Sequence, residues 1–150
     1  MTSEHATTLI GERFGSAQVE NGPPLTVTLP VDAWLPFAQF AKDELRCRYF
    51  SFLTAVDWKD QGLDVVLKID NVDDNLSLIV KTRLEPGVSS CPSLTPLYRG
   101  ANWMEREAYD MFGIVFEGHP DLRRILLTDD WEGHPLLKSY AVDTPHPPYR

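Results

Sequence analysis

Residues 49–84 constrain the fold more than any other part of this chain. Three strand-like runs follow one another with only short polar breaks between them. Residues 49–58 (YFSFLTAVDW) are rich in aromatic and β-branched side chains, which favour a pleated, half-buried surface. Residues 63–70 (LDVVLKID) form a second run. Residues 76–84 alternate cleanly, with Leu76, Leu78, Val80, Thr82 and Leu84 on one side and Ser77, Ile79, Lys81 and Arg83 on the other. The polar stretch 71–75 (NVDDN) reads as a hairpin loop. Consecutive strands with short links make an antiparallel or mixed sheet, with one face left for helices. The expected fold class is therefore α+β, a two-layer sandwich of a small sheet with helices, followed by an extended loop-rich C-terminal segment.

The flanking sequence supplies the second layer. Residues 4–14 are a weakly amphipathic helix candidate, Asn21-Gly22-Pro23-Pro24 is a breaker, and residues 25–29 (LTVTL) read as a short strand. From about 33 to 45, Trp34, Phe37, Phe40, Ala41 and Leu45 share one helical face, with Pro36 in the first turn where a missing N–H is tolerated. These aromatics are expected in the core. Residues 86–96 read as a Ser- and Pro-rich linker. One domain over 1–140 is expected, followed by a Pro-rich extended tail over 141–150 that orders against a partner.

The formal charge of −8 argues against a nucleic-acid binder, which needs clustered Lys and Arg. No run of about 18 apolar residues is present to span a membrane, and the N-terminus lacks a signal or transit pattern. The two cysteines, Cys47 and Cys91, have no C-x-x-C spacing and read as inert thiols. An iron–sulfur cluster takes about four such ligands, so this chain alone cannot hold one. The acids Asp57, Asp60, Asp64, Asp70, Asp73 and Asp74 lack calcium-loop spacing and read as solvated turn residues.

Polar detail concentrates in residues 102–140. Asn102 is an N-cap candidate, with Glu105 completing a box-like pattern. Met104, Ala108, Met111 and Phe112 form an apolar stripe, and Gly113 is a stop. Arg106 and Asp110 are spaced to pair along the helix, yet an exposed pair of that kind contributes only about 0.3–0.5 kcal/mol. Local stability thus accounts poorly for the run Glu105-Arg106-Glu107, and presentation to neighbouring elements or another chain accounts for it better. After the helix one phrase occurs twice: Phe116-Glu117-Gly118-His119-Pro120-Asp121-Leu122-Arg123 and Trp131-Glu132-Gly133-His134-Pro135-Leu136-Leu137-Lys138. In each, Gly and Pro make a sharp corner, His is held extended before Pro, and the Leu that follows can insert into apolar surface. No H-E-x-x-H, G-x-S-x-G or P-loop accompanies these histidines and acids, which weakens a free-standing metal-dependent hydrolase.

The stretch GANWMEREAYDMFGIVFEGHPDLRRILLTDDWEGHPLLKSY, with SFLTAVDW upstream, resembles the 30-kDa subunit of respiratory complex I, NADH:quinone oxidoreductase. The resemblance covers roughly residues 30–140. It implies a cofactor-free peripheral-arm subunit that assembles and stabilises the connecting module near the quinone end of a proton-pumping enzyme, on the cytoplasmic side of the cell membrane. It implies the 49-kDa subunit and neighbouring iron–sulfur subunits as partners, with FMN and iron–sulfur clusters in those partners. Similar subunits of membrane-bound hydrogenases, formate hydrogenlyases and F420 dehydrogenases are the alternative parents. No catalytic, cofactor or metal residue is expected in this chain. The interface or structural candidates are Asn102, Trp103, Glu105, Arg106, Glu107, Asp110, His119, Arg123, Arg124, Asp129, Asp130, Glu132, His134 and Lys138. For each, an internal tie and a cross-subunit contact stay open. The family commonly reads GHPLRKDYP near its end; Leu137 and Ser139 replace an Arg and an Asp, so an ion pair usual in the family is expected to be absent. The chain is also short for the family, and a longer C-terminal extension is expected to be missing or reduced.

Overall fold

The computed structural model describes residues 1–143, so the expected tail lies outside the described residues from 144 onward. In chain order the elements are α1 (Ser3–Arg13), β1 (Gln18–Glu20), β2 (Leu25–Leu29), a 3-10 turn (Val31–Ala33), α2 (Trp34–Asp43), β3 (Tyr49–Asp57), a second 3-10 turn (Lys59–Gln61), β4 (Leu63–Asn71), β5 (Leu76–Leu84), β6 (Ser90–Pro92), α3 (Ala101–Phe112) and β7 (Val115–Glu117). Strands β1 to β5 form one sheet in the order β1-β2-β5-β4-β3. The pairs are antiparallel except β2 with β5, which run parallel. Tight hairpins force β3, β4 and β5 to alternate in direction, and α2 reverses the chain so that β2 lies alongside β5. The fold is thus the expected α+β arrangement with a mixed sheet.

The period-two pattern of β5 is realised in full: Leu76, Leu78, Val80, Thr82 and Leu84 are buried. The four apolar ones join Leu25, Val27 and Leu29 of β2, and Val65, Leu67 and Ile69 of β4, in a core shared with α1 and α2. Helix α2 contributes Trp34, Phe37, Ala38, Phe40 and Ala41, all buried. Phe14, just past α1, meets Phe37 edge-on at 5.2 Å and Phe40 at 5.3 Å. Full burial of each such side chain stabilises the fold by about 1.5–3 kcal/mol.

Several expectations are corrected. Asn71 is not a loop residue but the buried end of β4. It donates to Leu45 O at 3.0 Å and to Asp74 Oδ2 at 2.9 Å, and accepts from Asp74 N–H. Asp74 also meets the N-terminal ammonium at 3.2 Å, and Asp64 is bonded to Arg83 and to Trp58 Nε1, so neither is a merely solvated acid. The linker over 86–96 contains β6, which pairs in parallel with β7, Cys91 opposite Phe116. These three-residue strands each bury a single residue, and β1 buries none. That is too little for periodicity to reveal.

Helix α3 begins two residues earlier than the capping pattern suggests. Its N-cap is Gly100, with no side-chain cap bond, and Asn102 is its second residue rather than the cap. The preceding turn runs straight into the helix, with Ala101 N–H on Tyr98 O at 3.1 Å and Asn102 N–H on Arg99 O at 3.2 Å, and a Cβ at position 100 would lie 2.9 Å from Cδ1 of Phe50. The helix ends as expected at Gly113, whose left-handed φ of 75° lets its N–H bond Tyr109 O. Along its length α3 lies against β3.

Candidate subunit interface

Two polar side chains of α3, those of Arg106 and Asp110, turn toward the segment that follows β7. Arg106 does not pair with Asp110. Its guanidinium donates to the carbonyl oxygens of Arg123 at 3.1 Å and Arg124 at 3.0 Å. Asp110 is completely buried. Its Oδ2 accepts the N–H groups of Ile125, Leu126 and Leu127 at 3.2, 2.9 and 3.0 Å, and its Oδ1 accepts from Arg124 at 2.7 Å. Burial by itself would raise this carboxyl. The three N–H donors and the guanidinium outweigh burial and hold it below its ordinary value.

Arg124 is the second hub, with a side chain only 12% exposed. Besides Asp110 it donates to Trp131 O and Gly133 O, both at 2.9 Å. One guanidinium therefore closes the loop over 124–133 against α3. These are charge-assisted hydrogen bonds, the strong kind.

The doubled phrase does one job twice. In the first copy His119 Nδ1 accepts the N–H of Asp121 at 3.0 Å, which leaves Nε2–H to donate to Asn102 O at 3.0 Å. In the second, His134 Nδ1 is 2.9 Å from Asp110 O. The two anchored carbonyls are eight residues apart, about 12 Å along the helix. Each corner turns at a glycine of positive φ, Gly118 at 86° and Gly133 at 85°. Leu122 and Leu137, at equivalent places in the two copies, pack against the core as expected. Leu136 N–H then donates to Met111 O at 3.0 Å, and Lys138 N–H to Asp57 Oδ2 at 2.8 Å. Residues 118–138 thus form a strap whose backbone is held along the helix.

Glu105 faces the other way. It is fully buried, and accepts from Leu94 N–H at 2.6 Å and from Ser93 Oγ at 2.7 Å, tying α3 to the segment after β6. Burial pushes its carboxyl up to about 7, partly offset by those two donors. Neither the capping role nor presentation to another chain survives for Glu105. Both cysteines are buried and free. Burial pushes the Cys47 thiol up to about 12 and raises that of Cys91 as well, so both are inert.

The candidate residues divide into two sets. Glu105, Arg106, Asp110, His119, Arg124 and His134 make internal contacts, and Asn102 contributes its carbonyl to them. Trp103, Glu107, Arg123, Asp129, Asp130, Glu132 and Lys138 are exposed. Trp103 is 69% exposed, a large apolar surface left in water. Arg123 pairs with Asp121 at 2.9 Å, an exposed contact that contributes about 0–1 kcal/mol. Leu137 and Ser139 line an open cleft of about 710 Å³ with Asp57, Lys59, Phe112 and Lys138. Among the described residues no cluster of three or more His, Cys, Asp or Glu could hold a metal ion. Among them no helix is long and apolar enough to cross a membrane.

Residues 27–146 match the family model for the respiratory-chain NADH dehydrogenase 30 Kd subunit. The chain belongs to this family. It is 43% identical to an NADH-quinone oxidoreductase subunit of Chloroherpeton thalassium over 93% of its length, and spans 61% of that relative. To the same-named subunit of Geotalea uraniireducens it is 36% identical, covering 99% of this chain and 94% of the relative. Its fold is similar to a trypsin-resistant fragment of Nqo5, with a TM-score of 0.69 and 27% identity over 79% of this chain and 98% of the fragment. It is also similar to a chain in an archaeal respiratory membrane complex, the membrane-bound sulfane sulfur reductase. The TM-score there is 0.78 with 26% identity, over 93% of this chain and 85% of the other. As a family member the chain is a subunit of an oxidoreductase complex, and the hydrolase reading is set aside.

Proposed function

We propose that this chain is a cofactor-free peripheral-arm subunit of a proton-pumping NADH:quinone oxidoreductase, and that it assembles and stabilises the module linking the electron-input arm to the quinone end. FMN and iron–sulfur clusters belong to its partners in this reading. The partners are the 49-kDa subunit and the neighbouring cluster-bearing subunits, and the assembly lies on the cytoplasmic side of the membrane. The observation that carries the reading is the division of labour in residues 102–138. Buried Asp110 and half-buried Arg124 direct their hydrogen bonds to each other and to the chain's own backbone, while Trp103, Glu107, Arg123, Asp129, Asp130, Glu132 and Lys138 are left outward. A rigid strap with outward aromatic and charged groups is suited to shape and charge complementarity with other subunits.

Affinity purification of the full chain in mild detergent tests this. Flavin and iron–sulfur absorbance should co-elute with it in constant ratio. Elution of the chain alone would defeat the reading, as would electron transfer from a nicotinamide donor to a dye by the isolated chain. Iron–sulfur absorbance without flavin would shift the parent to a related membrane hydrogenase-type complex.

A further inference from the structure

Within the strap, inward and outward groups are sharply separated. Leu126 N–H is fixed 2.9 Å from Asp110 Oδ2 and Leu136 N–H 3.0 Å from Met111 O, so both backbones are rooted on adjacent residues at the end of α3. Yet their side chains are 62% and 54% exposed, whereas Leu122, Leu127 and Leu137 of the same segment pack against the core. Between the two leucines, Trp131 N–H bonds Thr128 O at 3.0 Å, closing a turn with Asp129 and Asp130 at its centre. Asp129, Asp130 and Glu132 are exposed, and none forms an ion pair among the described residues. The turn cannot relax freely, because Arg124 holds Trp131 O and Gly133 O against α3.

We infer that Leu126 and Leu136, flanked by Asp129, Asp130 and Glu132, form a preformed plug for a partner protein surface that offers apolar pockets rimmed by Lys or Arg. This deepens the subunit reading above and rests on it. Two apolar anchors on a fixed backbone lose little conformational entropy on docking, which favours a rigid strap over a flexible one. The acidic turn selects the sign of the rim: an acidic partner face, an anionic lipid surface or a nucleic acid would be repelled. It also attracts a basic partner at distances within the screening length, so docking is sensitive to salt.

The test uses the full chain expressed in cells that assemble the complex. Two variants probe the plug: Leu126→Asp with Leu136→Asp, and Asp129→Asn with Asp130→Asn and Glu132→Gln. Val72→Asp, at an exposed position on the β4–β5 hairpin, is the control. Both plug variants should lower assembled complex on native gels by about tenfold, and the control should not. The acid-neutralised complex should also lose the salt dependence shown by wild type. Should the leucine variant fail to fold on its own, the acid variant decides, because its substitutions are isosteric and exposed. Wild-type assembly and salt dependence in the acid variant would overturn the inference while leaving the subunit reading intact. A wild-type chain that co-purifies with no partner would overturn both.

Discussion

Replacing Glu105 by Gln should stabilise the protein at neutral and alkaline pH. Glu105 is sealed between α3 and the segment after β6, with its carboxyl pushed from an ordinary 4.5 to about 7, burial being the main cause. The folded state therefore prefers the protonated acid. Below pH 4.5 the acid is neutral in both folded and unfolded chains, and this site contributes fully. As pH rises through the interval up to about 7 the unfolded chain releases the proton first, so stability falls. Moving a titration from 4.5 to about 7 corresponds to about 3 kcal/mol, lost by about pH 8. Gln keeps the contacts: its carbonyl can accept Leu94 N–H, and its amide can donate to Ser93 Oγ, whose hydroxyl can then turn to Thr95 Oγ1 at 2.8 Å. Urea unfolding of wild type and Glu105→Gln at about pH 5, 6, 7 and 8 measures the effect. The variant's advantage over wild type should be smallest at about pH 5 and grow to about 3 kcal/mol by about pH 8. A variant less stable than wild type at the alkaline end, or a difference that does not change with pH, would refute the argument that burial of charge dominates at this site.

Other consequences follow from the strap. Asp110→Ala strands three backbone N–H groups and the guanidinium of Arg124, and should cost about 3–5 kcal/mol in denaturant unfolding, with faster trypsin cleavage within residues 118–138. Because the Asp110 carboxyl is held low, its contribution is present above the ordinary carboxylate pKa and is lost as pH falls through its folded value, so Asp110→Asn should flatten the acid limb of the stability profile. Gly113→Ala places a Cβ 2.9 Å from His134 Cδ2 at a left-handed φ, and should lower stability by about 1–2 kcal/mol or more, read as a drop in Tm. Neither Cys47 nor Cys91 should react with a thiol reagent at about pH 8 in the native protein, and both should react in urea.

Much of the architecture is legible in local pattern. Strand β5 appears with its true bounds because alternate residues must face opposite sides of a sheet. The aromatic face of α2 and the glycine stop of α3 follow from equally local rules. The short strands β1, β6 and β7 do not, since one buried residue or none leaves no period to read. The capping pattern misplaces the start of α3 because the N–H groups of Ala101 and Asn102 are already bonded to Tyr98 O and Arg99 O in the preceding turn, so no side-chain cap is used.

By itself the sequence determined the helices and long strands, the family, and the concentration of charged and polar residues in 102–140. It could not determine which way each polar group faces. Asp110 and Arg106 sit one helical turn apart and look like partners, yet each bonds to backbone that arrives from beyond β7. Glu105 and Glu107, two residues apart on α3, end in a dry pocket and in water respectively. That sorting depends on which long-range segment covers which side of α3. Only the tertiary structure brings those segments together, and burial then fixes the charge, the hydrogen bonds and the role of each side chain.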